Sequence, residues 1–428
     1  PTPYRATFGG QLALVDGVWS ESVAWPDALQ ITLRWQALTT PSGDRRAVAT
    51  LWDAQGQLWS SAERPVLDKT TRPASAWAPG HWADMTCALP LPPAIPPGVY
   101  TIEVSLYDSA TGAELGATTA DGAFLGVQVV LGQVTTQPPA EAPGPATLDV
   151  PVRLGLRAGP LTLLGLAPPP ARPLSGDRLP LALFWQADAV PRADYRLHLR
   201  LTGPDGAVGL EKIVPLSPYP TSRWTAGQRF ESRVTLHLPP DLPASPYRLA
   251  LNVLDAGGEP LWETDCDLAE VEILPRQRSF DLPADIPQRL EVGFGESIHL
   301  RGYRLEPPTV APGGVLPLTL VWQAGGPTEL DYTLFAHLLG PDGRLYGQVD
   351  AIPGGSAAPP TTWAAGQVVV QEVALPVAAD APPGAYRIAI GLYDAAHGQR
   401  LPIAAGELSL AGDRVLLPSE IAVFGALP

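Results

Sequence analysis

The chain has 428 residues, room for about three domains of ordinary size, and its 45% hydrophobic and 17% charged composition is that of a folded rather than a disordered protein. A formal net charge of -15 and a pI near 4.8 argue against nucleic acid or an anionic membrane surface as partner, because both demand clustered cations. Pro (51) and Gly (42) exceed a fifth of the chain and sit between apolar stretches, so many short elements punctuated by turns are expected, and no apolar run approaches the roughly 18 residues of a membrane-spanning helix.

The first clear strand is Leu29-Gln-Ile-Thr-Leu-Arg-Trp35, whose apolar residues alternate with period two, and Tyr100 to Tyr107 alternates again after a Pro-rich approach. Gln133 to Asp149 is a Pro/Ala/Gly stretch that reads as a semi-rigid linker. The pattern then restarts. Leu179 to Trp185 is a strand, Tyr195 to Leu201 leads into the turn Pro204-Asp-Gly206, and Tyr247 to Leu254 alternates. After a second connector, Pro275 to Gln288, it restarts once more with Leu316 to Trp322, Tyr332 to Leu339 before Pro341-Asp-Gly343, and Tyr386 to Tyr393.

One frame runs through all of this. Trp35, Trp77, Tyr100 and Asp108 are followed by Trp185, Trp224, Tyr247 and Asp255, then by Trp322, Trp363, Tyr386 and Asp394; second Trp to Tyr is always 23 residues and Tyr to Asp always 8. A copied set of large apolar residues is a copied core. The spacing predicts an all-β chain of three tandem immunoglobulin/fibronectin-like antiparallel β-sandwiches, 1–132, 150–274 and 289–428, with linkers 133–149 and 275–288. Trp35, Trp185, Trp322, Trp77, Trp224, Trp363, Tyr100, Tyr247 and Tyr386 are the expected repeat core. Pro73, Pro220 and Pro359, each four residues before the second Trp, are expected to blunt edge strands.

Catalytic signatures do not emerge. There is no Gly-x-Ser-x-Gly, no Ser-x-x-Lys and no helix for a phosphate loop to open. The six histidines (81, 198, 237, 299, 337, 397) form no ligand pairs, and in repeat register His337 falls on Arg200 and His198 on Phe335, so no metal or cofactor is expected. Recurrent Asp108, Asp255 and Asp394 read as turn caps, and the loops at Asp53, Asp205 and Asp342 each offer calcium one carboxylate where six or more oxygens are needed. Cys87 and Cys266 occupy different places in different repeats and read as two buried free thiols. Few Asn, Met and Cys with Arg favoured over Lys fit a GC-rich, thermophilic source. The chain opens at Pro1 with Met85 its sole methionine, so a longer or processed gene product is expected.

Non-recurrent aromatics are the remaining contact candidates. Trp19, Trp25, Trp52, Trp59, Trp82 and Trp262 do not recur; Trp52 and Trp59 flank the turn Asp53 to Gly56, and Trp52, Trp59 and Trp82 are the expected ligand or partner contacts, against the plainer reading that the first unit packs differently or buries these rings against the second.

Phe294 to Tyr303, Val310-Ala-Pro-Gly-Gly314, Leu320-Val-Trp-Gln-Ala324, Asp331 to Leu338, Pro360-Thr-Thr-Trp363, Pro382 to Ile388 and Gly391-Leu-Tyr-Asp394 resemble the sandwich domains in extracytoplasmic tails of Chloroflexi surface proteins, including membrane glycosyltransferases of the protein-mannosyltransferase type. The third unit carries the resemblance most fully and the first least. It implies an accessory domain at the cell surface and carries over no catalytic residue. The expected function is therefore a non-catalytic extracellular structural or interaction module, tethered by a membrane segment outside this chain, that self-associates or docks to a cell-surface protein. The alternative is a glycan-binding accessory region of a glycosyltransferase.

Overall fold

The computed structural model describes residues 5–120, 124–395, 398–403, 409–410 and 413–424. Among these the chain is all-β, and its helical segments are three single 3-10 turns, Ala74–Ala76, Thr221–Arg223 and Pro360–Thr362. It divides into two compact units, Pro1–Pro275 and Arg276–Pro428. Among the described residues there are six sheets, two for each repeat of the frame, and their long strands pair antiparallel.

One sheet of each pair is built around the first Trp. Ala28–Ala37 lies between Leu12–Trp19 and Trp82–Pro90, Arg178–Ala187 between Leu161–Ala167 and Arg229–His237, and Val315–Ala324 between Ile298–Leu305 and Val368–Pro376. The other sheet is built around the Tyr strand. Gly98–Asp108 is flanked by Arg45–Trp52 and Gln128–Thr136, Ser245–Leu254 by Arg196–Thr202 and Cys266–Ile273, and Gly384–Asp394 by Thr333–Leu339 and Arg414–Val423.

The register makes the repetition exact at the residue level. Trp35 stands between Leu14 and Ala83, Trp185 between Leu163 and Phe230, and Trp322 between Leu300 and Val369. Immediately beyond each partner the pairing slips by one residue, at Leu14/Asp16, Leu163/Gly165 and Leu300/Gly302. Because a strand side chain must choose a face, the Leu alternation before each Trp delivers the indole inward. All nine recurrent aromatics are buried, and they sit in three separate apolar clusters that each draw on both sheets of a pair.

The second Trp closes a small device that is the same in every copy. Its backbone N–H ends the 3-10 turn, donating to Ala74, Thr221 or Pro360, and its indole N–H reaches back to the carbonyl of Arg72 (3.1 Å), Tyr219 (3.1 Å) or Ala358 (2.7 Å). Three residues on, Gly80, Gly227 and Gly366 take positive φ and donate to the carbonyls of Ala37, Ala187 and Ala324, the alanines of the three Trp-Gln-Ala segments. Those alanines in turn donate to His81, Gln228 and Gln367. The two sequence motifs are thus two halves of one hydrogen-bonded joint, and Gly is required where the backbone turns left-handed.

Three expectations need correction. Pro73, Pro220 and Pro359 cap the 3-10 turns instead of blunting edge strands; the fixed φ of Pro suits the start of a turn as well as it suits an edge. The strand Gln128–Thr136 carries the first sheet pair past the boundary expected at 132, because Thr136 is buried and its hydroxyl donates to Pro96 O at 2.9 Å. The connector after 275 is no free linker: Arg276 and Arg278 donate to the carbonyls of Ala357 and Thr362, and Val368 N–H donates to Ser279 O.

Two substitutions probe this frame. Trp322→Ala should cost the C-terminal unit about 3–5 kcal/mol, read as a lowered denaturation midpoint, and a loss under about 1 kcal/mol would mean that the ring is not core. Gly227→Ala meets open space, so its expected cost of about 1–2 kcal/mol is backbone strain alone.

Candidate functional site

The three rings singled out as contacts separate in the structure. Trp52 is half-buried on the outward side of its strand, its indole donating to Thr50 Oγ1 at 2.9 Å. Trp82 is 57% exposed. Trp59 is only 3% exposed and packs edge-on against Tyr100 with ring centroids 6.1 Å apart, so it belongs to the core and not to an exposed platform with Trp52.

The chain bends Trp59 inward through its own turn. Asp53 Oδ1 accepts the N–H groups of Gln55 and Gln57, both at 2.9 Å, and Oδ2 accepts the Trp59 indole N–H at 2.8 Å. From the second sheet pair of the same unit, the Arg233 guanidinium lies 4.2 Å from the Trp59 ring centroid and donates to the Leu58 carbonyl. Glu231 holds that guanidinium with a 2.7 Å bond, and its own N–H donates to Ala94 O at 2.8 Å. Thr235 donates to Gln57 Oε1 at 3.0 Å, and Arg229 donates to Pro143 O at 2.9 Å. Beside these polar contacts Phe184 is buried with Ala94 and Leu148. Within Pro1–Pro275, then, the second sheet pair receives the first through the outer face of its Trp185 sheet, and the segment expected to be a linker is part of the seam.

The matching face of the first pair is open. Arg34 stacks on Trp82, guanidinium carbon 4.8 Å from the ring centroid, and grips Asp84 with two bonds of 2.7 and 2.9 Å. The bond and charge of Arg34 pull the Asp84 carboxyl below its ordinary range. Thr32 and Thr86 meet at 2.9 Å alongside.

Other polar candidates serve the frame. Asp108 Oδ1 accepts the N–H groups of Ala110 and Thr111, and Asp255 accepts that of Glu259. Asp205 and Asp342 cap their turns through the N–H groups of Ala207 and Arg344. His81 pairs with Asp68 and His198 with Glu211, His397 lies outside the described residues, and among the described residues no group of three His, Cys, Asp or Glu is placed to hold a metal. Cys87 and Cys266 are free thiols, but only Cys87 is buried as expected and Cys266 is half-buried; in both, removal from water pushes the thiol pKa up.

Sequence reasoning missed a buried polar patch in the C-terminal unit. Burial pushes the Asp350 carboxyl up to about 7, while burial and the neighbouring Arg400 and Arg414 push His337 down to about 4. Asp350 falls opposite Phe335 and His337 opposite Gln348 on paired strands, and Arg400 stacks on Phe335 at 4.6 Å. No single-strand pattern marks such a patch, because each group is perturbed by residues from other strands.

No family model matches the chain, and no curated protein is significantly similar to it.

Two outcomes follow from this geometry. A double-mutant cycle on Trp59→Leu and Arg233→Met should give a coupling of about 0.5–2 kcal/mol; zero coupling would leave the stack without energetic content. The native unit holds the Asp350 proton that the unfolded chain releases above about 4, so this group favours folding at low pH and that contribution is lost as pH rises toward 7. His337 acts oppositely, since the unfolded chain takes up a proton below about 6.5 that the native unit refuses down to about 4. The two trends offset between about pH 4 and 6.5. Asp350→Asn should therefore make stability climb more steeply with pH across that window than it does in the parent; a variant curve no steeper than the parent's would refute the assignment.

Proposed function

We propose that the chain is a non-catalytic structural and interaction module of a cell-surface protein, built of three tandem sandwiches of the immunoglobulin/fibronectin kind. The observation that carries this is where the recurrent polar atoms go. Three times over, the second Trp's indole N–H, the turn Gly N–H and the Trp-Gln-Ala carbonyl are spent on one another or on nearby backbone. A chain that commits the same groups to the same joint in each copy uses them as architecture.

The sandwich reading is supported by the order of strands around each pair of sheets, in which the chain passes from the Trp sheet to the Tyr sheet, back, and across again. A short parallel contact at the last strand accompanies it in every repeat: Ser22–Val23 with Thr135 and Thr136, Leu174 with Leu274, and Thr309–Val310 with Ala422 and Val423. Tyr100 and Tyr386 open their strands with the hydroxyl bonded back to the carbonyls of Pro96 (2.8 Å) and Pro382 (2.7 Å), a corner found in immunoglobulin-like domains. The surface location rests on the resemblance of the third repeat to extracytoplasmic tails, with an acidic, Lys-poor composition in keeping.

The test is biochemical. The purified chain should give background rates in glycoside-hydrolase and glycosyl-transfer assays, and turnover abolished by a single point substitution would overturn the reading.

A further inference from the structure

The seam inside Pro1–Pro275 shows how one sheet pair accepts another, and its register identifies the same surface on the first pair. Trp185 faces Phe230 across its sheet as Trp35 faces Ala83. Counting from these anchors, Phe184, Arg229, Glu231 and Arg233 of the seated face correspond to Arg34, Trp82, Asp84 and Thr86, all four exposed. The copy that has a neighbour within its unit presents Phe184 and Arg233 to it, whereas the equivalent face of the first pair holds a Trp and an Arg-Asp pair out to solvent.

The inserted element has counterparts too. The hairpin that enters the seam is tied by Asp53 N–H to Gln57 O, and the equivalent tie in the C-terminal unit runs from Gly340 N–H to Arg344 O. Leu345 and Tyr346 therefore stand where Leu58 and Trp59 do. Tyr346 packs edge-on against Tyr386 at 5.6 Å, as Trp59 does against Tyr100, and Leu345 is 45% exposed. The second pair has Gly209 in that place, so its hairpin lacks the ring. Asp380, exposed and six residues before Tyr386, occupies the position of Ala94 six residues before Tyr100. In the internal seam Ala94 meets Phe184, an apolar couple. Between the open hairpin end and the open face the same couple becomes Asp380 and Arg34, of opposite charge.

We propose that the Arg34, Trp82, Asp84 and Thr86 face receives the Leu345–Tyr346 hairpin of a second copy of this chain, giving head-to-tail association. The contact is heterologous, so each added copy leaves a free face and a free hairpin and growth does not stop at a dimer unless the geometry closes a ring. The proposal rests on the reading of the chain as an interaction module, and names the surface and occupant that the reading leaves open.

Sedimentation velocity on the full chain tests it, with Trp82→Glu and Leu345→Glu as variants whose folding is checked by thermal midpoint and near-ultraviolet circular dichroism. Both sites lie at exposed positions, so both variants should fold. The parent should show a weight-average mass that rises with concentration past the dimer, and each variant alone should remain monomeric. An equimolar mixture of the two should recover association but stop at a heterodimer, because only one competent junction can form. A parent that stays monomeric up to about 1 mM, variants that assemble like the parent, or a mixture that stays monomeric would each overturn the proposal while leaving the background catalytic rates above untouched. Retention of a monomeric parent on immobilised polysaccharide, lost in Trp82→Glu, would overturn it in favour of a sugar platform.

Discussion

The fold depends on the hydrogen bond from a left-handed glycine to the alanine that follows each first Trp. It fastens the connection between two strands to the end of the central strand of the Trp sheet at Ala37, Ala187 and Ala324, and in doing so fixes where the second Trp enters the core. An indole supplies a large apolar body with one polar atom to satisfy. The 3-10 turn places a backbone carbonyl five residues upstream to receive it, so the second Trp is buried with its donor satisfied in all three repeats. The first Trp shows what the same residue type does without such a turn. Trp322 bonds Gln371 Oε1 at 2.9 Å, whereas the indole nitrogens of Trp35 and Trp185 have no partner. Rings in equivalent places therefore differ by one hydrogen bond according to the residue on the neighbouring strand.

Much of this was legible because period-two alternation and fixed spacing are local signals. Leu316, Leu318, Leu320 and Trp322 declare one face of one strand with no reference to anything else. The Trp-Gln-Ala and Trp-x-x-Gly segments are visible as repeats, although nothing in either shows that Ala324 and Gly366 bond to each other. Which of the non-recurrent rings would be buried was illegible for a different reason. The burial of Trp59 depends partly on Arg233, whose partner carbonyl at Leu58 is 175 positions away. A Pro/Ala/Gly stretch likewise reads the same whether it hangs free or packs, and Leu148 is buried in a cluster with Phe184 and Ala94, far from it in sequence.

Electrostatics in this molecule is mostly local and mostly satisfied. Carboxylates at Asp53, Asp68, Asp108 and Asp342 accept backbone N–H groups in tight turns, where a charged acceptor outperforms a neutral one. Against that background Asp350 and His337 stand apart, since burial perturbs each away from its charged form. Opposed shifts on one sheet keep both side chains uncharged across mildly acidic conditions, which spares the desolvation cost of burying either as an ion.

The seam between the first two sheet pairs separates the unit of duplication from the unit of independent existence. A cut between the first and second copies of the frame would strand Trp59 without its guanidinium cover and lay Phe184 and Leu148 bare, turning interior surface into an adhesive one. The first two copies form a matched couple, and inserting or deleting one frame within residues 1–275 would have to remake both halves of that match at once.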